Sequence, residues 1–339
     1  MNLLSLRFIG TALLTLIFIG GVYQYLSTKL DEYNYPPIGK MVDIGGYKVH
    51  MIDLGVHKEV SKPTIIMDAA NGSNCLDWQL VQPEIAKFAR VVTYDRAGYA
   101  WSDASPLQRT SVNIAQELHD MLHAAKIPGP YILVGHSFGG LNVRLYANKY
   151  PDEVVGIILV DTSHEDEGKI LPAPAPAYLQ KIMIGAVYVG VLRLLNHLPF
   201  MRKNLEKQIE KYSPEIQNMY QSQKTATKFW AAVYAEGSLK SQDCQELKRQ
   251  APSLGDLPLT VISAGKPMLD YEQVKKFYSY DQVQKVNEGW QQLQADLVKK
   301  SSQSKHLVAE HSGHIIPYDQ PEIIVHAVHD MVEGLCKEK

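Results

Sequence analysis

Ser137 stands in Gly135-His136-Ser137-Phe138-Gly139, a G-x-S-x-G that follows the apolar run 131–134 and opens a helix beginning with Gly140 and Leu141. A strand turning sharply into a helix holds its serine in a strained backbone and leaves the hydroxyl exposed at the strand's carboxyl end. The free N–H groups of the helix start, chiefly that of Phe138, then face a reacting carbonyl, where one such donor contributes about 3 to 4 kcal/mol to an oxyanion. The chemistry suited to this group is nucleophilic attack on an acyl carbon. A serine hydroxyl is a weak nucleophile at neutral pH and needs a base within hydrogen-bond reach. His314, in Glu310-His311-Ser312-Gly313-His314, follows the last apolar run and precedes a helical stretch around 321–332. His311 and His306 are its neighbours in sequence, and the glycine before His314, with its place just after the strand, favours His314 as the base.

Such residues need a frame, and the pattern from residue 41 onward predicts one. Apolar, β-branched runs at 48–54, 63–69, 90–94, 131–135, 154–160, 257–264 and 306–309 alternate with amphipathic stretches, the signature of a mostly parallel sheet covered on both faces. The segment 111–125 reads as one covering helix, with Ile114, Leu118, Met121 and Leu122 on its inner face. Its His119 and His123 are four apart, as on a metal-binding helix, but no glutamate stands where a metalloprotease motif needs it, so they read as solvated. Between 164 and 256 the alternation stops and helical segments dominate, which predicts an inserted helical cap; 178–198 is its most apolar part. The organisation expected is therefore 1–30 as a membrane anchor, 31–40 as a tether rich in Tyr, Pro and Gly, 41–163 and 257–339 as the core, and 164–256 as the cap.

The anchor rests on 8–25, an uncharged apolar stretch near the ~20 residues that span a bilayer as a helix. No small-x-small cleavage pattern follows it, although a cleaved signal peptide is the alternative. Arg7 on the short side favours a cytoplasmic N-terminus, with the body outside. Lys plus Arg (34) and Asp plus Glu (36) nearly cancel and form no basic stripe, which argues against a nucleic-acid partner. Cys75, Cys244 and Cys336 are far apart, form no CxxC, and read as free thiols.

From about residue 41 the chain resembles the α/β-hydrolase superfamily, in its cap-bearing branch. Beyond the serine motif, Asp95-Arg96-Ala97-Gly98-Tyr99-Ala100-Trp101-Ser102 resembles the family's D-R-x-G-x-G-x-S turn, with Ala100 replacing a glycine. Ser312-Gly313-His314 followed by Asp319-Gln320-Pro321-Glu322 resembles its histidine loop. The resemblance implies that the backbone N–H of Asn71, after the strand at 63–69, joins that of Phe138 in an oxyanion hole, although Ala69 and Ala70 replace the usual His-Gly. It also implies an acid that orients the histidine. Asp161, after the strand at 154–160, matches one family location and is favoured; Asp270, in the loop after the strand at 257–264, is the alternative.

The function expected is a serine hydrolase that cleaves an apolar carboxylic ester through an acyl-enzyme on Ser137, without metal or organic cofactor. An aspartate nucleophile, which the epoxide hydrolases and haloalkane dehalogenases of this fold need, is absent from the elbow. A peptide, lactone or carbon–carbon bond is the alternative substrate. A membrane-tethered binding protein that kept the fold and lost catalysis is the alternative from another class.

Overall fold

The computed structural model describes residues 3–55, 62–171 and 176–337. Eight strands, β1 (Lys40–Asp43), β2 (Lys48–Leu54), β3 (Thr64–Asp68), β4 (Val91–Tyr94), β5 (Tyr131–His136), β6 (Val154–Val160), β7 (Leu259–Ala264) and β8 (Ser304–Ala309), form one sheet in the order β1-β2-β4-β3-β5-β6-β7-β8. β1 and β2 run antiparallel to their neighbours and the rest pair in parallel. All seven expected strands are present to within two residues. The eighth, β1, was not expected from the sequence: it is a four-residue edge strand with two exposed and two half-buried positions, too short and too polar to leave a pattern.

Helix α1 (Leu3–Asn34) precedes the sheet. Helices α2 (Gln82–Ile85), α3 (Ser111–Ala124) and α4 (Gly139–Lys149) lie in the crossovers up to β6. Five helices, α5 (Ala177–Tyr188), α6 (Val191–Asn196), α7 (Pro199–Gln208), α8 (Pro214–Lys224) and α9 (Thr227–Gln250), occupy the interval between β6 and β7, which holds no strand among the described residues. Helices α10 (Tyr271–Val274) and α11 (Tyr280–Val298) join β7 to β8, and α12 (Ile316–Asp319) and α13 (Pro321–Lys337) follow it.

The two-residue period of a strand sorts its side chains onto opposite faces. Ile66, Leu133, Ile157 and Leu159 pack with Leu118, Met121 and Leu122 of α3 and Leu141 of α4. Ile65, Val134, Ile158 and Val160 pack with Ile324, Val328 and Val332 of α13. Both faces are thus covered, as near-continuous apolar strands require.

The N-terminal helix differs from expectation at its end. It runs past the tether boundary at residue 31 to Asn34, two residues before Pro36, where a proline disfavours helix in its predecessor. Its second half is docked on the insertion: Gln24 is buried and donates to the Thr225 carbonyl (2.8 Å), and Asp31 pairs with Arg193 of α6 (2.6 Å). Its first half, including Phe8, Leu14, Leu16 and Phe18, is exposed. Among the described residues it is the one helix long and apolar enough to cross a membrane.

Candidate active site

Strand β5 is buried throughout and ends at His136, and the chain reverses into α4 at Ser137, whose φ of +52° lies in the left-handed region. A non-glycine residue there costs of order 1 to 3 kcal/mol and is held only by its surroundings. The hold is visible. The Ser137 N–H donates to Val160 (3.1 Å), and its carbonyl accepts from Ser163 N (3.0 Å) and Thr162 Oγ1 (2.6 Å), so the loop after β6 clamps the turn. Gly135 is required by close approach, since a Cβ there would lie 2.7 Å from the Gly140 Cα.

The same loop carries the favoured candidate acid. Asp161 is buried, also has a positive φ (+38°), and sits at the carboxyl end of β6, beside the serine. Its Oδ2 is 2.6 Å from His314 Nδ1, and His314 Nε2 is 3.0 Å from Ser137 Oγ. A carboxylate only accepts, so Nδ1 carries the proton and Nε2 is left to accept from the serine hydroxyl. Asp161 Oδ1 accepts from the Ala264 N–H (3.1 Å) and the Trp290 indole N–H (3.1 Å), which fix the orientation of the carboxylate. Buried Gln294 holds both the N–H and the carbonyl of Thr162.

Asp270, the alternative acid, lies apart: it is exposed and caps α10, accepting from Glu272 N (3.0 Å) and Gln273 Nε2 (3.0 Å). His311 is also exposed, and His306 meets Ser263 on β7 (2.8 Å). Asp319 accepts from Gly313 N (3.1 Å) and Ser312 Oγ (3.3 Å) and so shapes the histidine loop. His136 is buried beside His314 and donates from Nε2 to its carbonyl (2.8 Å). Burial, reinforced by its neighbour His314, pushes the His136 pKa down to about 3, so it stays a neutral strut.

Phe138 is buried at the start of α4, and Asn71 lies in the loop after β3. Arg96 grips that loop, donating to the carbonyls of Ala69 (2.6 Å) and Ala70 (2.9 Å) and to Asp68 (2.6 Å). Ala100 takes a φ of +39°, so the turn keeps a glycine-like backbone where the motif's glycine is replaced. One residue the sequence did not point to ties these parts together. Glu236 of α9 is fully buried and accepts from Arg96 (2.9 and 3.0 Å), Tyr99 OH (2.6 Å) and the Asn71 side chain (3.1 Å).

The sequence model of a family described as alpha/beta hydrolase fold matches residues 65–321, the span that holds Asn71, the elbow, Asp161 and His314. The chain belongs to that family. Among relatives of this α/β hydrolase, the uncharacterized protein YqjL of Bacillus subtilis (strain 168) is 27% identical over 281 residues, covering 83% of this chain and 88% of YqjL. Among solved structures, a thermophilic esterase from Thermogutta terrifontis superposes with a TM-score of 0.58 at 17% identity, covering 87% of this chain and 98% of that one. A putative epoxide hydrolase from Pseudomonas aeruginosa gives 0.60 at 14%, covering 88% and 97%. At such identities the structures share the fold with this α/β hydrolase, and their chemistry is their own.

Two other clusters in this hydrolase carry metal-type donors. His50, Cys75 and Asp95 lie together in the interior, but His50 Nδ1 meets Asp95 (2.8 Å) and its Nε2 accepts from Gly39 N (3.0 Å), which uses both ring nitrogens. Burial raises the Cys75 thiol pKa well above its ordinary value, so it is no nucleophile. His119 and His123 are not simply solvated: both face Glu153 (3.2 and 3.1 Å), and His119 stacks on Tyr150. That group precedes β6, at the end of the sheet opposite Ser137.

Proposed function

We propose that this α/β hydrolase cleaves carboxylic esters through an acyl-enzyme on Ser137. The observation that carries the reading is the continuous relay Ser137 Oγ, His314 Nε2, His314 Nδ1, Asp161 Oδ2, at 3.0 and 2.6 Å. Ser137 Oγ attacks the ester carbonyl while His314 Nε2 takes its proton, and the buried Asp161 carboxylate stabilises the imidazolium without itself being protonated. The N–H groups of Phe138 and Asn71 hold the oxyanion. His314 then gives its proton to the leaving alkoxide, which departs as the alcohol. It next deprotonates a water that attacks the acyl-enzyme, and the acid leaves with Ser137 restored.

Residues 164–256 form a cap over this site, and α1 anchors the chain by a single pass with the body on the extracytoplasmic side. The exposed apolar first half of α1 and the Glu236 link from α9 to the loop at Asn71 support these assignments. Activity of the full chain on p-nitrophenyl esters from acetate to palmitate tests the reading. Turnover abolished in Ser137→Ala supports it, and turnover retained in that variant refutes it.

A further inference from the structure

Between α5, α6 and α9 lies a cavity of about 410 Å³, within the range of small-molecule sites. Its inner end reaches Asn71, and its walls are apolar, among them Ile184, Val187, Leu192 and Trp230. Met183, Val191 and Leu195 line it and are also exposed, so its mouth opens on the outer face of α5 and α6. That outer face is itself apolar. Ile182 is 64% exposed and Leu194 55%, and Tyr178, Leu179 and Leu198 are exposed with them.

The docking of α1 places this face at a definite level. A helix rises 1.5 Å per residue, so the undocked apolar stretch 8–19 covers only ~18 Å of the ~30 Å hydrocarbon core. A full crossing from Phe8 needs ~20 residues and reaches about residue 27. Residues within that crossing are the ones seated on the insertion: Gly20 packs against Val189, Tyr23 against Gly190, and Gln24 against Arg193 and Thr225. The turn between α5 and α6 is therefore drawn to membrane level with α1. The outward side of α1 continues the apolar surface through Val22, Tyr25 and Leu26, all exposed. Lys181, exposed beside Ile182, has a stem long enough to keep its ammonium among headgroups.

We propose that the outer face of α5 and α6 is immersed in the same leaflet that receives α1. The cavity then takes the acyl chain of a bilayer-dissolved ester directly from the membrane and leads it to the loop at Asn71. This inference rests on the ester hydrolase and anchor readings above, and it adds a substrate class, lipid esters with a long acyl chain, and a route.

The full chain, reconstituted in phosphatidylcholine vesicles, tests the surface. An environment-sensitive fluorophore is attached at Ile182→Cys, Ile17→Cys or Asp152→Cys, each in a Cys336→Ser background; the two remaining cysteines are buried. Asp152 lies just before β6, at the amino ends of the parallel strands, opposite the end that carries Ser137. Lipids carrying a nitroxide on the acyl chain are expected to quench the labels at 17 and 182 about twofold and leave that at 152 unchanged. Quenching at 17 with none at 182 overturns the proposal, because the cap then stands clear of the bilayer. Quenching at neither overturns the anchor reading and the inference with it.

The route is tested with Ile182→Glu combined with Leu194→Glu, positions that do not line the cavity. Turnover of a vesicle-embedded palmitoyl ester is expected to fall about tenfold relative to soluble p-nitrophenyl butyrate. An unchanged ratio overturns the route. If the parent chain turns over neither ester, the ester hydrolase reading fails, and the inference falls with it.

Discussion

The carboxyl edge of the sheet and the helical insertion obey different rules. At the edge the candidate groups are fixed by short bonds from neighbouring strands and loops: Ser137 by Val160, Thr162 and Ser163, and Asp161 by Ala264 and Trp290. The insertion leaves much of α5 and α6 exposed and is pinned by a few long-range polar links, Glu236 to Arg96, Arg193 to Asp31 and Lys224 to Gly72. Under the proposed function the difference separates two tasks. Chemistry needs atoms held to a fraction of an ångström, whereas choosing and collecting a substrate needs a surface whose shape and greasiness can vary. Variants at the edge are accordingly expected to change rate with little loss of stability, and variants at the links to change stability first.

The largest effect is expected where that contrast is sharpest, between the two aspartates. Asp161→Asn is expected to lower kcat roughly 10⁴-fold by trapping the wrong tautomer of His314. Asp270→Asn, at an exposed helix cap, is expected to leave kcat unchanged. Steady-state kinetics on a soluble ester reads both, and equal losses would erase the distinction.

Next comes Glu236→Gln, which breaks a buried ion pair from the insertion side. Removing one partner of such a pair costs about 3 to 5 kcal/mol, and denaturant unfolding is expected to show a loss of that order. An unchanged midpoint would mean that the insertion is held by its apolar contacts alone.

Asp243 of α9 gives a pH-dependent test of a fourth link, the bond it accepts from Ser111 N (2.8 Å). Burial pushes its pKa up from 3.8 to about 6, against the opposing pull of the Ser111 hydrogen bonds. Below pH 4 it is protonated in both folded and unfolded chains and costs nothing. Between pH 4 and 6 the unfolded chain releases the proton while the folded chain keeps it, so stability falls as pH rises, by on the order of 2 to 3 kcal/mol in all. Asp243→Asn is expected to remove that decline in urea unfolding across this window; the same slope in the variant would refute the assignment.

The smallest effect is expected at Trp290, whose indole N–H steadies Asp161. Loss of a hydrogen bond to a charged group costs about 1.5 to 3 kcal/mol, so Trp290→Phe is expected to lower kcat by ~10-fold or somewhat more, with KM nearly unchanged. A change confined to KM would place Trp290 in substrate binding instead.

The same contrast explains what the sequence could reveal. Strands β2 to β8 were legible because buried parallel strands are written as apolar runs, and the elbow because strand, glycines and helix fall within a dozen residues. The choice between Asp161 and Asp270 depended on where a loop returns in space, which one-dimensional spacing leaves open. Glu236 lies 140 positions from Arg96, and Trp290 129 from Asp161, so neither had a local pattern to betray it. Residues 31–34 read as tether because prolines follow closely, yet the Arg193 pairing of Asp31 favours one more turn of helix.

The central claim is acyl transfer to Ser137, and intact-protein mass spectrometry after treatment with a fluorophosphonate tests it most directly. One phosphonyl adduct on the peptide containing Ser137, absent in Ser137→Ala and strongly slowed in His314→Ala, is the predicted result. A folded protein that takes no adduct, or takes it at another residue, would contradict the account.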